Sequence, residues 1–301
     1  MINHAIMYSY SISGLFMQKS IQKTSLNDFK NYLFNEGRSL NTVKGYILNI
    51  NIYLNWFQKI YQKDFSILTK EDILSFKNYL LNNKNSAKSV NHYLSALKSF
   101  NDFLVEKNIQ EFIVVEKRMN IKIQTQYASP TDINEEMVTI FRQKIQNSGN
   151  LRNYALVTLL AYTGLRISEA LNLKFSDFNL NTGECIIRSG KGGKQRNVPL
   201  NKKIINAISD YIENTKNTSE YLFISNKSDK LDRTVVNRFF NIFSDKKITP
   251  HDLRHFFCTN ALEKGFGIHE VANIAGHSNI QTTLLYTNPN KKQIHAKMEL
   301  L

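Results

Sequence analysis

Between Ser25 and about Gln110, four stretches follow one another with apolar residues at 3.6-residue spacing, and no strand signal separates them. "SLNDFKNYLFNEG" places Ser25 at a cap position, Leu26, Phe29 and Leu33 on one stripe, and Gly37 as a stop. "SLNTVKGYILNINIYLNWFQKIY" repeats the pattern with Val43, Tyr46, Ile47, Ile50 and Leu54. "TKEDILSFKNYLLNN" opens with the capping-box pair Thr69 and Asp72. "SAKSVNHYLSALKSFNDFLVEKN" supplies a fourth helix. This periodicity restricts residues 24–112 to a small helical domain. Its outer faces carry Lys, Asn, Ser and Tyr, which suits contacts to phosphate and equally suits a plain solvated surface.

Beyond it the pattern changes. Residues 113–131 lack a helical period and contain Pro130, so they read as a linker. A second domain is expected over residues 132–301, mostly helical. Its exception is "GECIIRSGKGGKQRNVPL", two strand-like runs around Gly192 and Gly193, which reads as a β-hairpin. The fold class is therefore mainly α with a small β-hairpin or sheet, in two domains, as a chain of 301 residues allows. Residues 1–23 read as an N-terminal arm, and Met17 is a candidate alternative start. They lack the basic n-region and apolar h-region of a signal peptide.

The formal net charge is +14, which draws polyanions, nucleic acid first among them. Cys185 and Cys258 are far apart and lack metal-ligand spacing, which argues against a zinc site or disulfide framework and fits a reducing cytosol. No run approaches the roughly 18 apolar residues of a membrane span. The expected location is cytoplasmic, on the nucleoid, with no membrane partner and no cofactor.

Four segments of the second domain carry chemistry. In "AYTGLRISEALNLKFSDF", Gly164 breaks a helix, and Arg166 and Glu169 open the next. An arginine at a helix start has no dipole reason to be there and invites an anion, although an Arg166–Glu169 surface pair would look the same. The hairpin places Lys191 and Lys194 beside its turn. In "PHDLRHFFCTNALEKG", His251 and Arg254 lie one turn apart at a helix start, with His255 beside them, above a stripe of Leu253, Phe256, Phe257 and Leu262. In "IAGHSNIQTTLLYTN", Gly276 ends a helix, His277 follows, and Tyr286 comes nine residues later.

Taken in order, Arg, Lys, His-x-x-Arg, Gly-His and Tyr resemble the tyrosine recombinase (phage integrase) family, in the manner of its simple Xer-like or transposon-resolvase-like members. The resemblance covers the whole second domain, and residues 24–112 resemble the family's core-binding domain more weakly. It implies that Arg166, Lys191, His251, Arg254 and His277 are active-site residues and Tyr286 the nucleophile. Glu169 matches an acidic position supporting the first arginine, and "GKG" favours Lys191 over Lys194. His255 has no counterpart among the catalytic positions.

On this resemblance the chain is a site-specific recombinase that joins Tyr286 to a 3′-phosphate and needs no metal or ATP. Two arginines would clamp the phosphate oxygens, His251 would take the tyrosine proton, Lys191 would protonate the leaving 5′ oxygen, and His277 would donate a hydrogen bond. The implied partners are duplex DNA with an inverted-repeat core site and a homo-tetramer, or a hetero-tetramer with a paralogous recombinase. In the tail "KKQIHAKMELL", Ile294, Met298 and Leu301 fall at helical spacing and either pack on a neighbouring protomer or fold back. Relaxation of the type IB topoisomerase kind, non-catalytic DNA binding on the same fold, and an RNA-binding protein suggested by charge alone remain alternatives.

Overall fold

A computed structural model describes residues 26–123, 133–188, 195–215, 219–225, 228–245, 247–277, 279–284 and 298–299. The chain divides between Thr125 and Gln126 into two units. The first holds helices α1 (26–35), α2 (Leu40–Tyr61), α3 (Lys70–Asn82) and α4 (Ala87–Glu106), the four that the periodicity predicts. Three of them start on a hydroxyl cap: Ser39, Thr69 and Ser86 each accept from the backbone N–H three residues on, satisfying one donor that a helix start leaves unpaired. Gly37 follows α1 at φ +70°.

The apolar stripes of these helices meet in an aromatic core. Tyr53 lies 5.2 Å from Phe76, and Phe29 lies 5.0 Å from Phe100, centroid to centroid. Burying one such ring, or one of the Leu, Ile and Val side chains packed with them, contributes about 1.5–3 kcal/mol.

Part of the expected linker belongs to this unit. Val115 and Met119 are buried in its core. Asn101, itself buried on α4, accepts from the N–H groups of Val114 (2.7 Å) and Val115 (3.0 Å). Asn91 exchanges two hydrogen bonds with Ile121. Residues 111–121 thus pass along the helices with one 3-10 turn at Lys117–Met119, and the buried Asn101 and the half-buried Asn91 replace missing backbone partners. A helical-period reading detects no order in such a segment, because its hydrogen bonds go to side chains distant in sequence.

The second unit is built around α6 (Leu151–Thr163), which is buried on nearly every side from Ala155 to Ala161, as its unbroken apolar run requires. Around it lie α5 (Glu135–Asn147), α8 (Lys202–Glu213), α9 (Arg233–Phe243) and α10 (Pro250–Glu263), followed by α11 (Ile268–Ala275) and α12 (Gln281–Leu284); the short α7 (Ile167–Leu171) follows α6. The expected hairpin is present as β2 (Glu184–Ile187) and β3 (Arg196–Pro199), paired antiparallel with Cys185 opposite Val198 and Ile187 opposite Arg196. A third strand, β1 (Phe178–Asn179), extends it on the β2 side. It is too short to leave an alternation signal. The turn with Lys191, Gly192, Gly193 and Lys194 lies outside the described residues, as do the arm at 1–23, Tyr286 and most of the tail. Cys185 and Cys258 are buried free thiols, pushed up by burial to about 12 and about 11.

Replacing Asn101 with Ala leaves the Val114 and Val115 N–H groups without an acceptor. At about 1–3 kcal/mol for an unsatisfied buried group, urea unfolding of the whole chain should show a loss of that order in the transition of the helical unit. An unchanged midpoint would mean that this segment contributes nothing to the helical unit.

Candidate active site

Gly164 ends α6 in a left-handed conformation (φ 62°), where a Cβ would strike the Phe257 ring. The chain reverses there and Arg166 becomes the cap of α7. Its backbone N–H donates to Glu169 Oε2 (2.9 Å) and its Nη1 to Oε1 (3.0 Å). Glu169 is only 3% exposed, so this is no surface pair. The same carboxylate receives a fork from Arg196 on β3, Nη1 to Oε1 at 3.2 Å and Nη2 to Oε2 at 2.9 Å. Burial raises the Glu169 pKa, but the Arg196 hydrogen bonds, the Arg166 N–H and the two guanidinium charges outweigh it. They hold the carboxyl below the usual carboxylate range.

Arg254 projects from the first turns of α10 and is buried. Its Nη1 donates to the carbonyls of Gly164 and Ala275, each at 2.6 Å. Both carbonyls belong to helix C-terminal ends, where unsatisfied oxygens carry partial negative charge. The Ala275 carbonyl also receives Arg196 Nη2 at 3.3 Å, and the Ile274 carbonyl receives Arg196 Nε at 3.1 Å. Gly276 closes α11 at φ 73°, and a Cβ there would collide with the Arg196 guanidinium. This glycine is needed both for its backbone angle and for the space it leaves.

Arg166, His251 and Arg254 line one cleft of ≈ 640 Å³, with Arg233, Asn237 and Thr249 on its walls. Thr249 caps α10 reciprocally with Asp252, which sets the helix start where His251 and Arg254 emerge. His251 Nε2 lies 2.9 Å from His255 Nε2, with the rings edge to face. A bond between two ring nitrogens requires a proton on one and a lone pair on the other. Burial, then the neighbouring His251 and Arg254, lower the His255 pKa against an opposing Asp252, so His255 favours the neutral form.

His277 follows Gly276, and its Nδ1 lies 2.7 Å from Oγ1 of the fully buried Thr283. Burial first, then the charges of Arg254, Arg166 and Arg196 and the nearby His255, lower its pKa to about 4. The ring is therefore neutral at pH 7 and can donate through one nitrogen while the other accepts.

The structure thus brings together five of the seven expected residues: Arg166, Glu169, His251, Arg254 and His277. Lys191 and Tyr286 lie outside the described residues. Sequence reasoning missed Arg196 and Thr283. Arg196 had a readable signal: alternation along Arg196, Asn197, Val198 and Pro199 places it on the buried face with Val198, and a charge on a core face needs a partner. Thr283 had none. Among the described residues no group of three or more His, Cys, Asp or Glu is placed to hold a metal ion, and no helix is long and apolar enough to cross a membrane.

The phage integrase family model matches residues 133–293, and the model for the phage integrase N-terminal SAM-like domain matches residues 26–108. The chain belongs to the phage integrase family. It is 57% identical over 279 residues to the TnP I resolvase of Bacillus thuringiensis, covering 91% of this chain and 98% of that one. It is 33% identical over 288 residues to tyrosine recombinase XerA of Pyrococcus horikoshii, covering 94% and 95%. Among solved structures, a XerA recombinase aligns at 28% identity with a TM-score of 0.51, over 92% of this chain and 98% of that one. The Tn1549 transposon integrase bound to transposon right-end DNA aligns at 19% identity with a TM-score of 0.70, over 91% and 98%, a likeness of fold. This protein is accordingly a tyrosine recombinase, an enzyme of site-specific DNA recombination.

The sign of the His277 contribution follows from its shift. With a folded pKa of about 4 against roughly 6.5 unfolded, the unfolded chain binds more protons between those values. Stability therefore falls as pH drops through that window. Between pH 7 and 5, which lies above the range where Glu169 titrates, His277→Asn should lose less thermal stability than wild type. Parallel losses would show that the imidazole is not held neutral.

Proposed function

We propose that the cleft binds the scissile phosphate of duplex DNA, with Arg166 and Arg254 as its clamp. The observation that carries this is the convergence of two guanidiniums and His251 on one cleft, each arginine fixed from behind by a buried carboxylate or by helix-end carbonyls. Arginines so held keep their forks directed at an anion without the cost of ordering them on binding. The pentavalent transition state has one more negative charge than the ground state, and preorganised donors act on that difference.

In this reading the Tyr286 oxygen attacks phosphorus, the bond from phosphorus to the 5′ oxygen breaks, and the enzyme is left on the 3′-phosphate. The tyrosine proton passes to His251. Lys191 protonates the leaving 5′ oxygen. His277 donates through Nε2 to a phosphate oxygen in the tautomer whose Nδ1 accepts from the Thr283 hydroxyl. A 5′ hydroxyl of a second duplex then reverses the step and joins the exchanged strand. The phosphotyrosine retains the bond energy, and the arginines supply the positive charge, so the proposed reaction uses neither ATP nor a metal ion. Lys191 and Tyr286 enter from the sequence motifs, which fall within the family match.

The substrate in this proposal is a core site with inverted repeats, acted on by four protomers across two duplexes, with the enzyme on the nucleoid in the cytoplasm. The biological task we propose is resolution within a mobile element. The 57% identity to a resolvase along nearly its whole length supports that choice. The helical unit at residues 26–108 matches the SAM-like model, and we assign it a part in DNA binding.

A nicked suicide duplex, incubated without metal and run on a denaturing gel, tests the chemistry. Wild type should give a covalent protein–DNA band and Tyr286→Phe none; equal bands would displace Tyr286 as the nucleophile. Removing residues 291–301 should leave DNA binding intact and reduce recombination if the tail joins neighbouring protomers. Recombination at the wild-type level would count against that ring contact.

A further inference from the structure

We propose that Arg196 is a positioning residue for strand cleavage, holding Arg166 through Glu169 and Arg254 through the Ala275 carbonyl. This rests on the reading of Arg166 and Arg254 as the phosphate clamp. The geometry is a two-sided fork. One edge of the guanidinium, Nη1 and Nη2, meets both oxygens of Glu169 at 3.2 and 2.9 Å. The other, Nε and Nη2, meets the Ile274 and Ala275 carbonyls at 3.1 and 3.3 Å. The two groups so grasped are the ones that fix the clamp. Glu169 binds Arg166 through its backbone and its side chain, and Ala275 accepts from Arg254 at 2.6 Å. Arg196 is the one side chain among the described residues that these hydrogen bonds place on both supports.

Arg196 is not itself placed to meet substrate, because its side chain is 15% exposed and its donors are directed into the protein. Packing does not account for it either. A buried ion pair is commonly matched or exceeded in stability by apolar residues of the same volume, and the neighbouring inward positions of the sheet hold Cys185, Ile187 and Val198. Lysine would place a single point charge where a planar fork is used. Gly276, with no side chain, leaves room for that plane.

The test compares single-turnover cleavage of two nicked duplexes, one with an ordinary scissile phosphate and one with a methylphosphonate. The methylphosphonate replaces a charged non-bridging oxygen with an uncharged methyl group and so reduces the charge that the clamp must meet. Side chains that orient the ligands of a catalytic metal are worth about 10–100-fold, and the same order is expected for one that orients a phosphate clamp. Arg196→Met should therefore cleave the ordinary duplex slower by about that factor, with a DNA Kd near that of wild type, and the defect should shrink on the methylphosphonate. Arg196→Lys should fall between. Wild-type rates, a loss confined to Kd, or equal losses on both duplexes would overturn the proposal. Should Arg196→Met fail to unfold cooperatively on heating, Arg196→Lys carries the same comparison. Arg166→Ala serves as the control. If its defect is the same on both duplexes, the clamp reading has failed and this inference with it. If only the Arg166→Ala defect shrinks, the clamp stands and the role given to Arg196 is wrong.

Discussion

A single carboxylate, Glu169, organises the catalytic unit. It is 3% exposed and receives hydrogen bonds from Arg166 and Arg196. Removing a carboxylate from water costs several kcal/mol on the order set by its desolvation, and only close, well-aligned partners repay that. The low pKa of Glu169 reports that they do. The consequence is geometric. The start of α7, the inner face of β3 and the end of α11 are joined through one pair of oxygens and the guanidinium that bridges them. Three segments far apart in sequence are thereby brought to one point, and the residues of the cleft are positioned relative to it.

Much of this is legible in the amino-acid sequence, for identifiable reasons. The four helices of the first unit carry their apolar stripes and caps in plain order, and Thr69 with Asp72 announces a helix start by local chemistry alone. The hairpin shows because two short strand-like runs, one with Cys185, Ile186 and Ile187 and one with Val198, flank the Gly192-Gly193 turn signal. The cleft residues show because cations at helix starts run against the dipole. What is not legible depends on contacts between segments. The run after Gln110 looks structureless, since Asn101 and Asn91 hold it from another helix. Thr283 reads as one hydroxyl in a polar-apolar stretch, and only its contact with His277 gives it meaning. Glu169 reads equally well as a surface partner of Arg166, and only its burial beside a second arginine decides against that.

His251 and His255 illustrate a different limit. A spacing of four residues on a helix predicts that the two rings can touch. It does not tell which nitrogens meet. The Nε2 atoms do, so the protonation of each ring sets the tautomer of the other. A base that must accept one proton at one atom gains direction from such a neighbour, and a neutral His255 can fill that role without adding charge to the cleft.

The charge balance of the site depends on which groups hold the arginines. Among the described residues, Arg166 and Arg196 share one buried carboxylate and Arg254 lies beside them on helix-end carbonyls, so the cluster there carries more guanidinium than carboxylate charge. Helix-end carbonyls compensate part of it by dipoles, which stabilise a guanidinium without neutralising it as a second carboxylate would. A second acid here would satisfy the arginines and leave little charge for a phosphate. Carbonyl partners instead hold Arg254 in place without neutralising it, which is what the proposed role as a phosphate clamp needs. Burial first, and then the same excess, lower the His277 pKa, because a proton on that ring would be poorly solvated and would add to the positive charge. The phosphodiester proposed to bind there would relieve that repulsion. The neutral His277 ring and the proposed affinity of the cleft for phosphate therefore share one contributing cause, the excess of guanidinium over carboxylate charge among the described residues.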